Sequence, residues 1–96
     1  MSALNYDKQG RPFVWVVKKE YGIDVYFEYE NAKRGFFDEY ERIKSFESRD
    51  ELTPLCEDTD DERPSAGWVD RDGQILCIYV NTADVLDATI QVKNTK

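Results

Sequence analysis

The alternation of apolar and polar positions is sharpest from Ile23 onward. Ile23, Val25, Phe27 and Tyr29 fall on one side of an extended chain, and Asp24, Tyr26, Glu28 and Glu30 on the other. A period of two in β-branched and aromatic residues predicts a half-buried strand over 23–30. Asn31 then offers a helix N-cap, because its side-chain oxygen accepts from an orphan N–H of a first turn. Beyond it Phe36, Phe37, Tyr40, Ile43 and Phe46 recur every three or four residues. That spacing puts them on one helical face and turns Asp38, Glu39, Glu41, Arg42 and Lys44 to water. Gly35 costs about 1 kcal/mol against Ala inside a helix, so the pattern predicts a helix that starts after it.

The flanking segments complete the outline. Residues 1–10 are polar and expected to fray, with a turn at Lys8 to Pro12. Phe13 to Val17 has no polar residue, which predicts a strand largely covered on both faces. Gly22 suits a tight hairpin, so 13–19 and 23–30 should pair antiparallel. Ser48 and Glu51 have capping-box spacing for one short helical turn, which Pro54 stops, and Leu52 and Leu55 would tuck back onto the core. A polar acidic loop follows over 56–66. Trp68-Val69 and Ile75 to Val80 flank Asp70-Arg71-Asp72-Gly73-Gln74, a strong hairpin signal. Residues 81–88 then read as a turn into a last strand at Thr89 to Lys93, with a short helix as the alternative. The expectation is one α+β domain over 1–96. Its small antiparallel sheet has four or five strands in the order β-β-α-β-β(-β), with one main helix packed on one face. Hairpins fix only neighbours, so strand order stays open.

Charge changes the picture because it is uneven. The net charge is −7. Residues 1–46 balance at zero, as do residues 73–96, while 47–72 hold ten acids against three arginines. A field localised in this way steers association with a basic partner. It also has a bland reading, a solvated loop that keeps an aromatic-rich chain soluble. A third reading is a hard cation such as calcium, which wants clustered carboxylates. Asp70-Arg71-Asp72-Gly73 is only a fragment of an EF-hand loop, however. Trp68 precedes it, Tyr79 stands where the bidentate Glu belongs, and the hairpin alone explains Asp-Gly. No metal site and no cofactor is therefore expected.

Candidate chemistry is narrowed by what the chain lacks. It has no histidine, which removes Ser–His–Asp, Cys–His and His-ligated zinc chemistry together. Cys56 and Cys77 are too few and too distant for a disulfide framework or a CxxC motif, and they read as reduced thiols, with Cys77 buried in a strand. No apolar run approaches a membrane span, and the first ten residues do not resemble a secretory signal. The basic residues are dispersed among acids, which argues against direct nucleic-acid binding. Thirteen aromatics in 96 residues exceed what one small core is expected to hide, and Trp and Tyr are enriched at interface hot spots.

The function these features predict is a small acidic cytoplasmic protein-binding module: an inhibitor, an immunity-type or anti-defence protein, or an adaptor. Asp58, Asp60, Asp61 and Glu62 would steer a basic partner, and Trp15, Tyr26 and Trp68 would anchor it. A small enzyme or ligand-binding domain using carboxylates and tyrosines is the alternative from another class. A homo-oligomer joined through a strand edge and a nucleic-acid mimic are the further ones.

Overall fold

The computed structural model describes residues 5–49 and 51–85. One helix, α1 (Tyr29–Lys44), packs on an antiparallel sheet of six strands: β1 (Asn5–Tyr6), β2 (Pro12–Lys19), β3 (Gly22–Tyr26), β4 (Leu52–Asp58), β5 (Ser65–Asp70) and β6 (Ile75–Asp84). The order across the sheet is β1-β2-β6-β5-β4, with β3 also pairing β2 beside β1. The predicted α+β class and both predicted hairpins are present, and they join into one sheet because β6 of the second hairpin pairs with β2 of the first. No described helix is long and apolar enough to cross a membrane. The expected strand at Thr89–Lys93 lies outside the described residues.

Pairing register decides which side chains meet the helix. Trp15 and Val17 of β2, Val80 and Ile78 of β6, and Ala66 and Trp68 of β5 face α1, where Ala32, Phe36 and Ile43 close over them. Phe36, Ile43, Trp68, Ile78 and Val17 are fully buried. Rings tie this layer together: Phe36 meets Phe37 edge-on at 5.0 Å, and Tyr40 lies 6.0 Å from Trp68. Burying side chains of this size stabilises by about 1.5–3 kcal/mol each. On the opposite face, Val14 and Val25 form a second, smaller cluster with Val16, Ala83 and Val85.

The strand at 23–30 departs from its predicted phase. It ends at Tyr26, and α1 begins at Tyr29 with Glu28 rather than Asn31 in the capping position. Register with β2 turns Asp24 and Tyr26 toward the helix, and Ile23 and Val25 away from it. Gly35 explains the inversion. It is buried within α1, and the Tyr26 hydroxyl occupies the place a Cβ would take, with Tyr26 Cζ at 3.0 Å. The helix runs straight through Gly35 because that glycine lets a tyrosine lie beneath it.

Two further differences are local. Residues expected as a helical turn and a loop after Phe46 form a 3-10 turn, Glu47–Arg49, and then β4. This edge strand bulges between Pro54 and Cys56, and proline is tolerated in sheets at such edges. Near the expected frayed end, Asn5–Tyr6 pairs with β2, and Asn5 Nδ2 donates to the Phe27 carbonyl at 2.6 Å. The turn after β1 repeats the one between β5 and β6. Asp7 Oδ1 accepts from the amides of Gln9 and Arg11, as Asp70 Oδ1 does from Asp72 and Gln74, all at 2.9 Å. Gly10 and Gly73 complete them with positive φ values of 81° and 82°.

Gly35→Ala gains about 1 kcal/mol of helix propensity but overpacks against Tyr26, a fault that costs about 1–3 kcal/mol. Urea denaturation should show a net loss. In a Tyr26→Phe background, where the overlapping hydroxyl is gone, the loss should shrink or reverse. A stabilising Gly35→Ala in the unaltered chain would remove the contact from this account.

Candidate functional site

The acidic segment is shorter and firmer than the 56–66 loop expected. β4 takes in Cys56, Glu57 and Asp58, so only residues 59–64 connect it to β5. Their backbone is held from several sides. Tyr29 on α1 donates its hydroxyl to the Glu62 carbonyl at 2.6 Å, and the Val80 amide donates to the carbonyl of fully buried Pro64 at 3.0 Å. Asp61 Oδ1 accepts from the Arg63 amide at 3.1 Å, an Asx turn that fixes the chain locally.

Asp58, Asp60, Asp61 and Glu62 are all exposed at this tip. None of them joins an ion pair among the described residues. The cation inside the loop, Arg63, donates to Asn81 Oδ1 at 3.0 Å instead. The neighbouring acid Glu57 is engaged by Lys44 of α1 at 3.1 Å. Among the described residues, four carboxylates therefore stand without an ion-pair partner on an anchored backbone. Their field reaches Tyr29, whose phenol lies above its usual 10.0 because of burial first and the Glu62 charge second.

The aromatic residues expected as surface anchors sit elsewhere. Trp68 is 0% exposed, and its indole Nε1 donates to Glu47 Oε2 at 2.6 Å. Trp15 is 8% exposed, edge-on to Phe13 at 5.7 Å and against Tyr29 at 4.8 Å. Tyr26 is half-buried under α1. All three face the helix, because pairing register, rather than the polarity of flanking residues, sets their side. Of the three, Trp15 packs against Tyr29, whose hydroxyl holds the acidic tip.

The exposed aromatics are Tyr6, Tyr21, Phe27 and Tyr79. Tyr79 lies in one cross-strand row with Ser65 and Asp58, on the sheet face opposite α1. Ile75 and Cys77 share that face and are also exposed; the expected burial of Cys77 is thereby corrected. In β6 the face-selecting residues Ile78 and Val80 alternate with Cys77 and Tyr79. Every one of these is apolar enough to hide the period, so the open face leaves no trace in the local pattern.

A second charged cluster lines a cleft at the other end of α1, formed by Lys19, Tyr21, Asp24, Glu39 and Arg42. Arg42 grips Glu20 at 2.6 Å and Glu39 at 2.9 Å, Glu39 also accepts from the Glu20 amide at 3.0 Å, and Lys19 pairs with Asp24 at 2.6 Å. Burial pushes the Glu39 carboxyl up, but Arg42 and the Glu20 amide outweigh it and hold Glu39 below its usual value. These charges satisfy one another and brace the β2–β3 hairpin against α1.

Two outcomes follow. Stability supplied by Glu39 is fully present above its ordinary pKa of 4.5 and is lost as pH falls through the lower folded value. Glu39→Gln should thus flatten the acid limb of a stability–pH curve, and an unchanged limb would contradict the brace. Tyr29→Phe removes the hydroxyl bonded to Glu62. It should cost about 0.5–1.5 kcal/mol and speed amide hydrogen exchange at residues 60–63, with the β2–β6 ladder unaffected.

Compared with protein-family models, curated proteins and solved structures, the chain has no significant match.

Proposed function

We propose that this chain is a protein-binding module that docks on a basic surface of another protein through the acidic tip between β4 and β5. The observation that carries the reading is the combination at residues 58–62. The backbone is anchored by α1, by β6 and by its own Asx turn, while four carboxylates are exposed and join no ion pair among the described residues. A preorganised charge cluster loses little conformational entropy on docking, and its field raises encounter rates with an oppositely charged surface by about 10–1,000-fold. Tyr79, in the same cross-strand row as Asp58, supplies an adjacent exposed ring of the kind enriched at hot spots.

A module of this kind acts by occupying its partner, as an inhibitor, an immunity-type or anti-defence protein, or an adaptor does. A cytoplasmic setting is part of this proposal and rests on a sequence with only two cysteines, too few for a disulfide framework. The alternatives have less behind them. Pairing through a strand edge is disfavoured at β4 by Pro54, the bulge, and the charges of Glu57 and Asp58, all devices that blunt an edge. A carboxylate enzyme wants a carboxyl with its pKa raised beside Tyr or Arg, and Glu39 in the cleft beside Arg42 is shifted the other way. A mimic of a nucleic-acid backbone calls for charge spread along a surface, whereas here it gathers at one turn.

The test compares the chain with a variant carrying Asp58→Asn, Asp60→Asn, Asp61→Asn and Glu62→Gln. Each is immobilised and exposed to lysate of the source cell, with washes at low and high salt. The expected result is one stoichiometric basic protein that is captured by the unaltered chain, released as salt rises, and lost from the variant. With that partner purified, the association rate should fall at least tenfold on neutralisation. A partner that binds both forms equally at all salt concentrations overturns the electrostatic reading, as does the absence of any partner.

A further inference from the structure

The two cysteines, separated by 20 intervening residues in sequence, are brought together by the sheet. Register places Cys56 of β4 opposite Gly67 of β5, and Gly67 opposite Cys77 of β6. All three therefore lie in one row on the face away from α1. Gly67 has no side chain to separate its neighbours, and both sulfurs lean over it. From the point where a Cβ would stand on Gly67, Cys56 Sγ is 3.3 Å away and Cys77 Sγ 3.6 Å, which puts the two sulfurs within about 7 Å of each other. Both cysteines are free and exposed.

These thiols cannot join directly. Their backbones are separated by two strand spacings, about 9.6 Å, and a disulfide needs Cα atoms within about 7 Å. A bridging atom removes that conflict. Two metal–sulfur bonds of about 2.3 Å laid end to end span about 4.6 Å, so each sulfur has to move in by at most about 1 Å. Both side chains are exposed and free to turn. Cys56 also follows a bulge in an edge strand, where the backbone yields most readily. A tetrahedral ion would demand sulfurs closer still and two more ligands. Among the described residues no group of three or more His, Cys, Asp or Glu is placed to hold a metal. Two soft sulfur donors and no third ligand select a thiophilic, two-coordinate cation.

We propose that Cys56 and Cys77 form a two-thiolate site that binds one soft monovalent metal ion of the copper(I) class across Gly67. Binding replaces the two thiol protons with two sulfur–metal bonds and releases the protons to solvent, with no change in oxidation state. The site shares the open face with Asp58 and Tyr79, two residues along β4 and β6 from the cysteines, but its chemistry does not require the docking function and is tested without it.

The test is anaerobic titration of the reduced full-length chain with copper(I), in competition with the chromophoric chelator bicinchoninate. The expected stoichiometry is one ion per chain, with the loaded protein eluting at the same size as the unloaded one. Cys56→Ser and Cys77→Ser should each weaken binding at least a hundredfold with unchanged circular dichroism, since both replaced side chains are exposed. Failure to compete for copper(I) overturns the site, as does wild-type affinity in either serine variant. Half an ion per chain with elution at doubled size also overturns it, because the ion would then bridge two chains rather than two strands.

Discussion

The close seating of α1 on the sheet is the constraint from which most of this structure follows. The chain leaves β3 on one side of the sheet and must reach β4 on the opposite edge, so the connection has to cross one whole face. A helix makes that crossing with its backbone hydrogen bonds satisfied internally, provided its underside is apolar and can approach closely. Gly35 supplies the approach by admitting Tyr26 beneath the helix, and Ala32, Phe36 and Ile43 supply the apolar underside. From there the consequences spread outward. Tyr29 is carried over Trp15 and toward Glu62, Lys44 is carried to Glu57, and Arg42 is held over Glu20. The parts that look functional are fixed by the element that fills the core.

The two sheet faces divide the work. The face under α1 takes nearly all the large side chains and both tryptophans, with Trp68 buried whole because Glu47 accepts its only polar hydrogen. An indole N–H left without a partner there would cost about 1–3 kcal/mol. The other face buries Val14 and Val25 at the β2–β3 side and leaves Ile75, Cys77 and Tyr79 open further along. One face is thus packed for stability, while the other retains exposed sulfur and ring surface on strands that neighbours hold in register.

What the sequence could and could not reveal follows from these contacts. The helix face, the β2–β3 hairpin and the Asp-Gly turn were legible because each depends on local periodicity or local turn chemistry. β4 was not, since an edge strand with Pro54 and exposed Leu55, Cys56 and Glu57 has no alternating pattern; a proline inside such a run was the available hint of an edge. The phase of β3 is not legible locally, because an amphipathic tyrosine and an ion-paired aspartate can face either a helix or water. Only the distant Gly35 and Lys19 decide that question. The acidic residues were visible as a cluster, yet their rigidity depends on Tyr29, Asn81 and Val80, which lie 16 or more positions from their partners at the tip and reach them only by way of the fold. Asp7, three residues before Gly10 as Asp70 is before Gly73, was a readable signal that a second identical turn stood near the start.

The arrangement at the acidic tip also explains why its anchors lie outside it. Two like charges about 7 Å apart in water repel by about 0.6 kcal/mol, so four carboxylates in five positions oppose one another by a few kcal/mol at low salt. No close ion pair among the described residues offsets this, because Arg63 is bonded to Asn81 and Lys44 is taken by Glu57. The compensation comes from the Tyr29 hydroxyl, the Val80 amide and the buried ring of Pro64, contacts that owe nothing to charge and survive screening. A cation brought to the tip would relieve the repulsion without having to order the chain. Both effects favour docking, and both depend on the helix having been seated first.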